Sequence, residues 1–555
     1  MFNPNYDHKK YQSFTPVKKS DRRWPDVVIS KAPRWCSVDL RDGNQALIDP
    51  MTPAQKLQMF ELLVDIGFKE IEIGFPSASQ ADFDFARKLI EENRIPDDVY
   101  VQVLTQARKE LIDRTFESLK GAPRAIVHVY NSTSPVQRKK VFGKSKDEIR
   151  QIAVQGAQWV KAGAEAQPDT DWRFQYSPES FSQTELDFAV EVCDAVNAVW
   201  QPTPEKPSII NLPATVEAAT PNVYADQIEW ICDHINNRDS VIISLHTHND
   251  RGCGVAAAEL AQMAGADRVE GTLLGNGERT GNMDIVTAAM NLYSQGVDPE
   301  LDLSNMDRII STVEACTQIA THPRHAYAGE LVFAAFSGSH QDAIRKCMAA
   351  QQDDEPWDVA YLPIDPRDLG RNYQEVIRIN SQSGKGGVSW ILEQEHQIKM
   401  PRWMQIDFSA VVQNEAESSE AEVSKDRIWD LFQSTYMNAD NTLKIQSYEI
   451  KRADGQDQIH IEVEPGHFIT GSGRGAMDAF CNAVAQHWAT EIVVVEYAEH
   501  TTGTDAQAEA MAYVQLGVQG VRVCGAARSE DILDASLQAV LNALANETLQ
   551  LQSVA

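Results

Sequence analysis

The chain has 555 residues, 43% of them hydrophobic and 23% charged, values of a globular protein with a sizeable core and about two to four domains. Its net charge of −30 argues against nucleic acid or an anionic membrane as partner, and an anionic substrate would need positive charge supplied locally by a metal or an arginine. No apolar run approaches the ~18–20 residues of a membrane span, and the eight cysteines show no Cys-x-x-Cys spacing, so a reduced, cytoplasmic protein is expected.

Residues 1–30 are polar, lack the apolar middle of a signal peptide, and read as an arm laid over the surface. From 31 to 300, short β-rich runs alternate with amphipathic stretches. The strand candidates are Trp35–Asp39, Glu70–Gly74, Tyr100–Leu104, Ala125–Tyr130, Trp172–Tyr176, Ser208–Leu212, Val241–Leu245 and Arg268–Leu273. Helix candidates between them include Pro53–Gly67, Ala81–Asn93, Lys146–Gly163, Thr184–Val199, Asn222–Ile235 and Val255–Ala264. This is the pattern of a (β/α)8 TIM barrel in the α/β class. An open doubly wound sheet also fits the alternation, but the strand count and the placing of polar residues favour the barrel.

Those polar residues fall at strand ends, which ring one mouth in a barrel. The first strand runs into Arg41-Asp42-Gly43-Asn44-Gln45, the fifth runs into Ser177-Pro178-Glu179, and the sixth ends in Asn211-Leu212-Pro213-Ala214-Thr215. The seventh ends in His246-Thr247-His248-Asn249-Asp250, and the eighth leads to Gly275–Asn282. Residues at i and i+2 of a strand share a face, so His246 and His248 aim the same way and suit one metal ion. The competing reading is two unrelated histidines at a strand end.

Residues 301–410 read as helical linker subdomains containing His340 and Tyr361. Ser383-Gly384-Lys385-Gly386-Gly387 lacks Walker spacing and reads as a tight turn rather than a nucleotide site. Residues 411–425, with Glu415, Glu417, Glu420 and Glu422, read as an acidic, weakly structured linker. Beyond it, 426–555 read as a βα-type duplication: strands near 443–452 and 458–464, a helix at 474–489, strands near 491–498 and 511–524, and a helix at 529–546. Small-residue turns at Gly471–Gly475 and Gly525–Ala527 are expected to start the two helices; they read as plain helix entries in preference to sites where exposed backbone N–H groups hold a carboxylate.

With Leu40–Gln45, the histidine stretch continuing to Gly252 and Gly254, and Gly275–Asn282 in this order, the chain resembles the acyl-CoA:2-oxoacid condensing enzymes (the alpha-isopropylmalate synthase/homocitrate synthase family) along nearly its whole length. Within that family it is most similar to the 2-isopropylmalate synthases, including their leucine-sensing C-terminal domain. The resemblance implies an acyltransferase that joins acetyl-CoA to 3-methyl-2-oxobutanoate and hydrolyses the thioester. The products would be (2S)-2-isopropylmalate and CoA, in the first committed step of leucine biosynthesis, with leucine as inhibitor and a homodimer as assembly. It makes Asp42, His246, His248 and Asn282 the ligands of a divalent metal, Mg²⁺ foremost with Mn²⁺ or Zn²⁺ as alternatives. Arg41 would face the keto oxygen and Thr215 the carboxylate of the oxoacid, with Leu104, His128 and Ser177 around its side chain. Glu179, His340 and Tyr361 match positions of proton transfer and acetyl-CoA handling, and Gly471 and Gly473 fall in the effector region.

Residue chemistry agrees. A divalent ion with open positions makes a chelated ketone more electrophilic, and an arginine beside the same oxygen adds a fixed donor. His340 is the candidate base, with Glu179 orienting it or acting through water; lying outside the barrel sequence, it must fold back over the mouth or come from a partner subunit. The rivals are a homocitrate or citramalate synthase, a metal-dependent lyase of similar barrel, an iron oxygenase using the His/His/Asp triad, and a non-enzymatic leucine sensor.

Overall fold

A computed structural model describes residues 7–371, 385–419, 423–437, 445–464, 466–502 and 509–554, which fall into two compact units. The first spans 1–332 with 367–371, and the second 333–366 with 372–555. Among the described residues, no helix is long and apolar enough to cross a membrane. None of the eight cysteines forms a disulfide.

The first unit is the expected closed barrel of parallel strands. Its strands are β1 (Arg34–Ser37), β2 (Glu70–Gly74), β3 (Tyr100–Gln106), β4 (Arg124–Ser132), β5 (Asp171–Glu179), β6 (Ser208–Ala214), β7 (Val241–Thr247) and β8 (Arg268–Gly271). The helices between and after them are α1 (Pro53–Ile66), α2 (Gln80–Glu91), α3 (Lys109–Ser118), α4 (Lys146–Glu165), α5 (Leu186–Trp200), α6 (Pro221–His234), α7 (Gly254–Met263), α8 (Ile285–Tyr293) and α9 (Met306–Thr317). Local chemistry sets their ends. Thr52 and Gln55 form a capping box ahead of α1, Pro53 opens it, and Gly67 stops it at φ 114°. The barrel closes where β1 pairs with β8, Cys36 opposite Glu270.

Alternate residues of each strand point inward. At one level the interior is filled by Ile126, Ile209 and Ile242 with Tyr100 packed on them. Elsewhere it is polar. Arg268, fully buried, donates to Glu70 at 2.5 Å, Glu270 at 2.6 Å, Ser244 at 2.8 Å and Gln102 at 2.9 Å. A buried guanidinium is tolerable when its donors are matched in this way.

Residues 19–24 of the N-terminal segment are bonded to α6. Arg22 grips Asp226 in a fork at 2.6 and 2.7 Å, Lys19 reaches Asp233 at 2.6 Å, and the Trp24 indole donates to Asp226 at 2.9 Å. The barrel unit runs past residue 300: α9 packs on α1, with Gln55 Nε2 donating to the Ala315 carbonyl at 2.9 Å.

The second unit contains α10 (Gly338–Ala350), α11 (Lys385–His396), α12 (Arg402–Ser419) and α13 (Lys425–Phe432). Residues 383 and 384 of the Gly-Lys-Gly stretch lie outside the described residues, and Lys385–Gly387 begin a helix rather than a tight turn. Where it is described, the acidic stretch 411–425 is not weakly structured: 411–419 complete α12, while Glu420 and Glu422 lie outside the described residues. Its glutamates obscured an apolar face: Val412 and Ala416 are buried, while Glu415 accepts from Arg427 at 2.8 Å.

The duplication is present but richer than expected. Strands β9 (Ser447–Ala453), β10 (Gln456–Glu464) and β11 (His467–Gly473) precede α14 (Ala476–Trp488). Strands β12 (Ile492–Thr502), β13 (Glu509–Val518) and β14 (Val521–Ser529) precede α15 (Ile532–Val554). Each repeat is therefore a three-stranded antiparallel sheet and one helix. Gly471, Gly473 and Gly525 are strand residues, not helix-starting turns. Each lies under a helix. A Cβ on Gly471 would come within 2.3 Å of the Ala479 carbonyl, and one on Gly525 within 2.3 Å of the Ala539 carbonyl. The stretch 511–524 is two strands, divided at Gln519-Gly520, both with positive φ as a tight hairpin needs.

Candidate metal centre and active site

Three segments build the candidate metal centre at the carboxyl ends of the strands. β7 carries His246 on its last inward position and His248 just beyond. After β1 the chain tightens into one π-type turn over Asp39–Gly43, which sets Arg41 and Asp42 side by side. The loop after β8 then returns: His248 pairs with Asn282 as an isolated bridge, and Asn249 N–H donates to Gly281 O at 3.0 Å. Gly281 has φ 100°, and a Cβ there would sit 2.0 Å from Gly275 O, so no other residue fits the return.

The donors converge. Asp42 Oδ2 lies 3.1 Å from His246 Nε2 and 3.6 Å from His248 Nε2, with the two ring nitrogens 3.3 Å apart. Asn282 brings its amide nitrogen 2.9 Å from the same carboxylate oxygen, and its buried Oδ1 has no hydrogen-bond partner. Asp42, His246 and His248 each offer one ligand atom within 4.8 Å of the others. Carboxylate, two imidazoles and an amide whose oxygen is unused form a donor set that fits a divalent ion.

Electrostatics at the centre are lopsided. Burial works to lower the His246 pKa, but hydrogen bonds to Asp42 and Glu270 outweigh it and raise it to about 9. His248 is driven down to about 4 by burial and by the neighbouring His246. Burial would raise Asp42, yet Arg41 and His246 hold it well below the usual carboxylate range. His246 Nδ1 lies 2.8 Å from Glu270 Oε2, which fixes the tautomer that leaves Nε2 facing Asp42. Glu270 in turn accepts from Arg268 and, at 2.7 Å, from Gln175.

A cavity of about 650 Å³ opens beside this centre, lined among others by Arg41, Asp42, Leu104, His128, Ser177, Glu179, Thr215, His246 and His248. The structure thus gathers every expected barrel-side residue. Arg41 donates to Glu72 through Nε and to Asp42 through Nη1 at 2.8 Å, leaving Nη2 without an acceptor among the described residues. His128 spans Glu72 at 2.9 Å and Ser177 Oγ at 2.7 Å, and Asn211 donates to that same oxygen at 3.0 Å. Thr215 Oγ1 accepts from Ser180 N–H at 2.9 Å, so its hydroxyl proton is free to donate. Glu179 accepts from Ser132 Oγ. His340 and Tyr361 lie in the second unit, where their rings stack 4.0 Å apart.

Sequence reading placed Asn211 at the mouth but missed the supporting residues Glu72, Gln102, Arg268 and Glu270. A signal existed: Glu70-Ile71-Glu72 and Arg268-Val269-Glu270 place charges at i and i+2 within otherwise apolar strands, so both must point into the barrel. It also missed a bracket across the mouth. Arg279 donates to Asp250 at 2.6 Å and to the Thr215 carbonyl at 2.6 Å, Asp250 accepts from Glu217 N–H at 2.9 Å, and Glu217 accepts from Arg251 N–H at 2.5 Å. Three loops are joined around Thr215, His248 and Asn282.

Three family models match successive parts of the chain. One described as HMGL-like covers residues 32–313, one described as alpha-isopropylmalate synthase, post-catalytic domain-like covers 330–393, and one described as LeuA allosteric (dimerisation) domain covers 422–548. A 2-isopropylmalate synthase of Alcanivorax borkumensis is 57% identical over 544 residues, 97% of either chain. One of Pseudomonas entomophila is 54% identical over 552 residues, 99% of this chain and 98% of the relative. Among solved structures, an HMG-CoA lyase from Brucella melitensis aligns with a TM-score of 0.43 and 19% identity, covering 52% of this chain and 100% of that one.

Proposed function

The chain belongs to the 2-isopropylmalate synthase family, and we propose that it condenses acetyl-CoA with 3-methyl-2-oxobutanoate, releasing 2-isopropylmalate and CoA in leucine biosynthesis. The observation that carries this reading is the convergence of Asp42, His246 and His248 beside Arg41 in one cavity. A divalent ion held by these residues and Asn282 would supply Lewis acidity toward the keto oxygen and one carboxylate oxygen of the oxoacid. We propose Mg²⁺ as the resident ion, with Mn²⁺ or Zn²⁺ as the alternatives.

The chain's own groups do the rest. Arg41 Nη2 donates to the keto oxygen as negative charge develops there, and Glu72 and Asp42 hold the guanidinium still. The Thr215 hydroxyl donates to the oxoacid carboxylate. Leu104 offers an apolar wall to the isopropyl group, while Ser177 Oγ, already bonded to His128 and Asn211, makes no demand for a polar partner. His340 is the proposed base for the acetyl methyl proton, and Glu179 and Tyr361 are the further groups proposed for proton transfer and acetyl-CoA handling.

A homocitrate synthase would require a cation for a second carboxylate. The arginines lining the cavity are Arg41, whose Nη2 is assigned to the keto oxygen, and Arg279, held by Asp250; neither is left for a second carboxylate, which favours the branched apolar substrate. The match to an allosteric (dimerisation) domain supports leucine as effector and a homodimer as assembly. Free-thiol release from acetyl-CoA against a panel of 2-oxoacids, with and without leucine, tests the reading. It predicts the highest kcat/KM for 3-methyl-2-oxobutanoate and inhibition by leucine; preference for a diacid contradicts it.

A further inference from the structure

The cavity accounts for the groups proposed to hold the oxoacid but not for the anionic end of the thioester. Acetyl-CoA carries its phosphates far from the acetyl group, and this chain is strongly acidic overall, so phosphate binding needs a local exception. One exists on the mouth side of the barrel. Between Asn131 and Lys146 the sequence has no Asp or Glu but contains Arg138, Lys139, Lys140, Lys144 and Lys146.

This segment follows β4 and is built as a fixed platform. Thr133 N–H donates to Glu179 O at 3.1 Å, so the platform begins beside a cavity residue. Arg138 is buried and forks onto Glu185 at 2.7 and 2.9 Å, with its guanidinium over the Phe188 ring. A π-type turn over Gln137–Phe142 then closes on Gly143 at φ 61°. Its outer side is exposed. Lys139 and Lys140 have no carboxylate partner among the described residues, whereas Lys144 and Lys146 reach Glu148 at 3.5 Å and Glu185 at 3.3 Å. Beside them, large apolar side chains face solvent: Val136 at 58%, Val141 at 67% and Phe142 at 46% exposure.

Unpaired cations interleaved with apolar side chains suit a ligand with phosphates and a flat aromatic base. Lys139 is seven residues from Ser132, which donates to Glu179; that stretch spans at most about 25 Å. An extended pantetheine arm covers a distance of this order. We propose that the turn at Gln137–Lys144 docks the nucleotide end of acetyl-CoA, Lys139 and Lys140 meeting its phosphates and Val141 and Phe142 its adenine. The proposal rests on the condensing activity proposed above.

The test compares acetyl-CoA with acetyl-pantetheine, which has the thioester but no phosphates, in wild type and in the double variant Lys139→Glu/Lys140→Glu. Reversing two exposed charges is expected to raise KM for acetyl-CoA about tenfold at low salt. KM for the oxoacid, kcat and turnover of acetyl-pantetheine should stay at wild-type values, and added salt should narrow the difference. Phe142→Ser should raise KM for acetyl-CoA without that salt dependence. An unchanged KM for acetyl-CoA, or an equal loss with both thioesters, overturns the proposal. So does a double variant that changes only the sedimenting mass, which would make the patch a contact between copies. Wild-type protein that releases no thiol from acetyl-CoA would instead sink the underlying functional reading.

Discussion

Glu270 touches no substrate in this account, yet it decides which nitrogen of His246 is available. Fully buried and held by Arg268 and Gln175, it accepts from His246 Nδ1 and aims Nε2 at Asp42. Glu270→Gln should therefore weaken divalent-ion affinity about 10–100-fold, measured by calorimetric titration of chelator-stripped protein. Unaltered affinity would show that His246 is oriented by something else. At this scale the sequence was informative for the proposed ligands and silent on most of their supports. Asp42, His246, His248 and Asn282 stand in short motifs whose spacing survives on paper. Glu72, Gln102 and Glu270 come from separate strands and meet only once the barrel closes.

Elements were legible where one period dominated. The barrel strands were placed to within a few residues because each is an apolar run bounded by polar loops. The C-terminal repeats were harder. In β11, Gly471 and Gly473 mimic a turn, but their lack of side chains serves the close passage of α14. Gly471→Ala should cost about 1–3 kcal/mol by pushing the helix off the sheet, read as a lower denaturation midpoint of the second unit. Equal stability would mean that α14 moves freely. The anchor of the β4 platform gives a pH test. The hydrogen bond from Arg138 lowers the Glu185 pKa to about 2. A depressed carboxylate pKa stabilises fully above its unfolded value and loses that contribution as pH falls toward the folded one. With Glu185 side chain 42% exposed, the pair contributes about 0.2–1 kcal/mol. The Tm deficit of Glu185→Gln should thus be present at neutral pH and shrink as pH drops from about 4.5 to about 2; a constant deficit would contradict the pairing.

For the molecule as a whole, the division into two compact units places the metal centre in one and the match to an allosteric domain in the other. Residues 426–555 do not form a detachable block. Helices α11–α13 share an apolar cluster with Met511, Tyr513, Cys524 and Ala526 of the second repeat's sheet, so truncation would strip that cover. Leucine action is better read by hydrogen exchange on the intact chain: leucine should slow exchange in 445–554, and protection confined to barrel strands would place the effector elsewhere. The central claim, one divalent ion shared by the first and seventh strand ends, is tested most directly by titrating chelator-stripped wild type and Asp42→Ala with Mg²⁺ or Mn²⁺ while following thiol release. Wild type should bind one ion per chain and regain activity with it, and Asp42→Ala should do neither while keeping the wild-type fold by circular dichroism. Full turnover by Asp42→Ala in metal-depleted buffer would contradict the account.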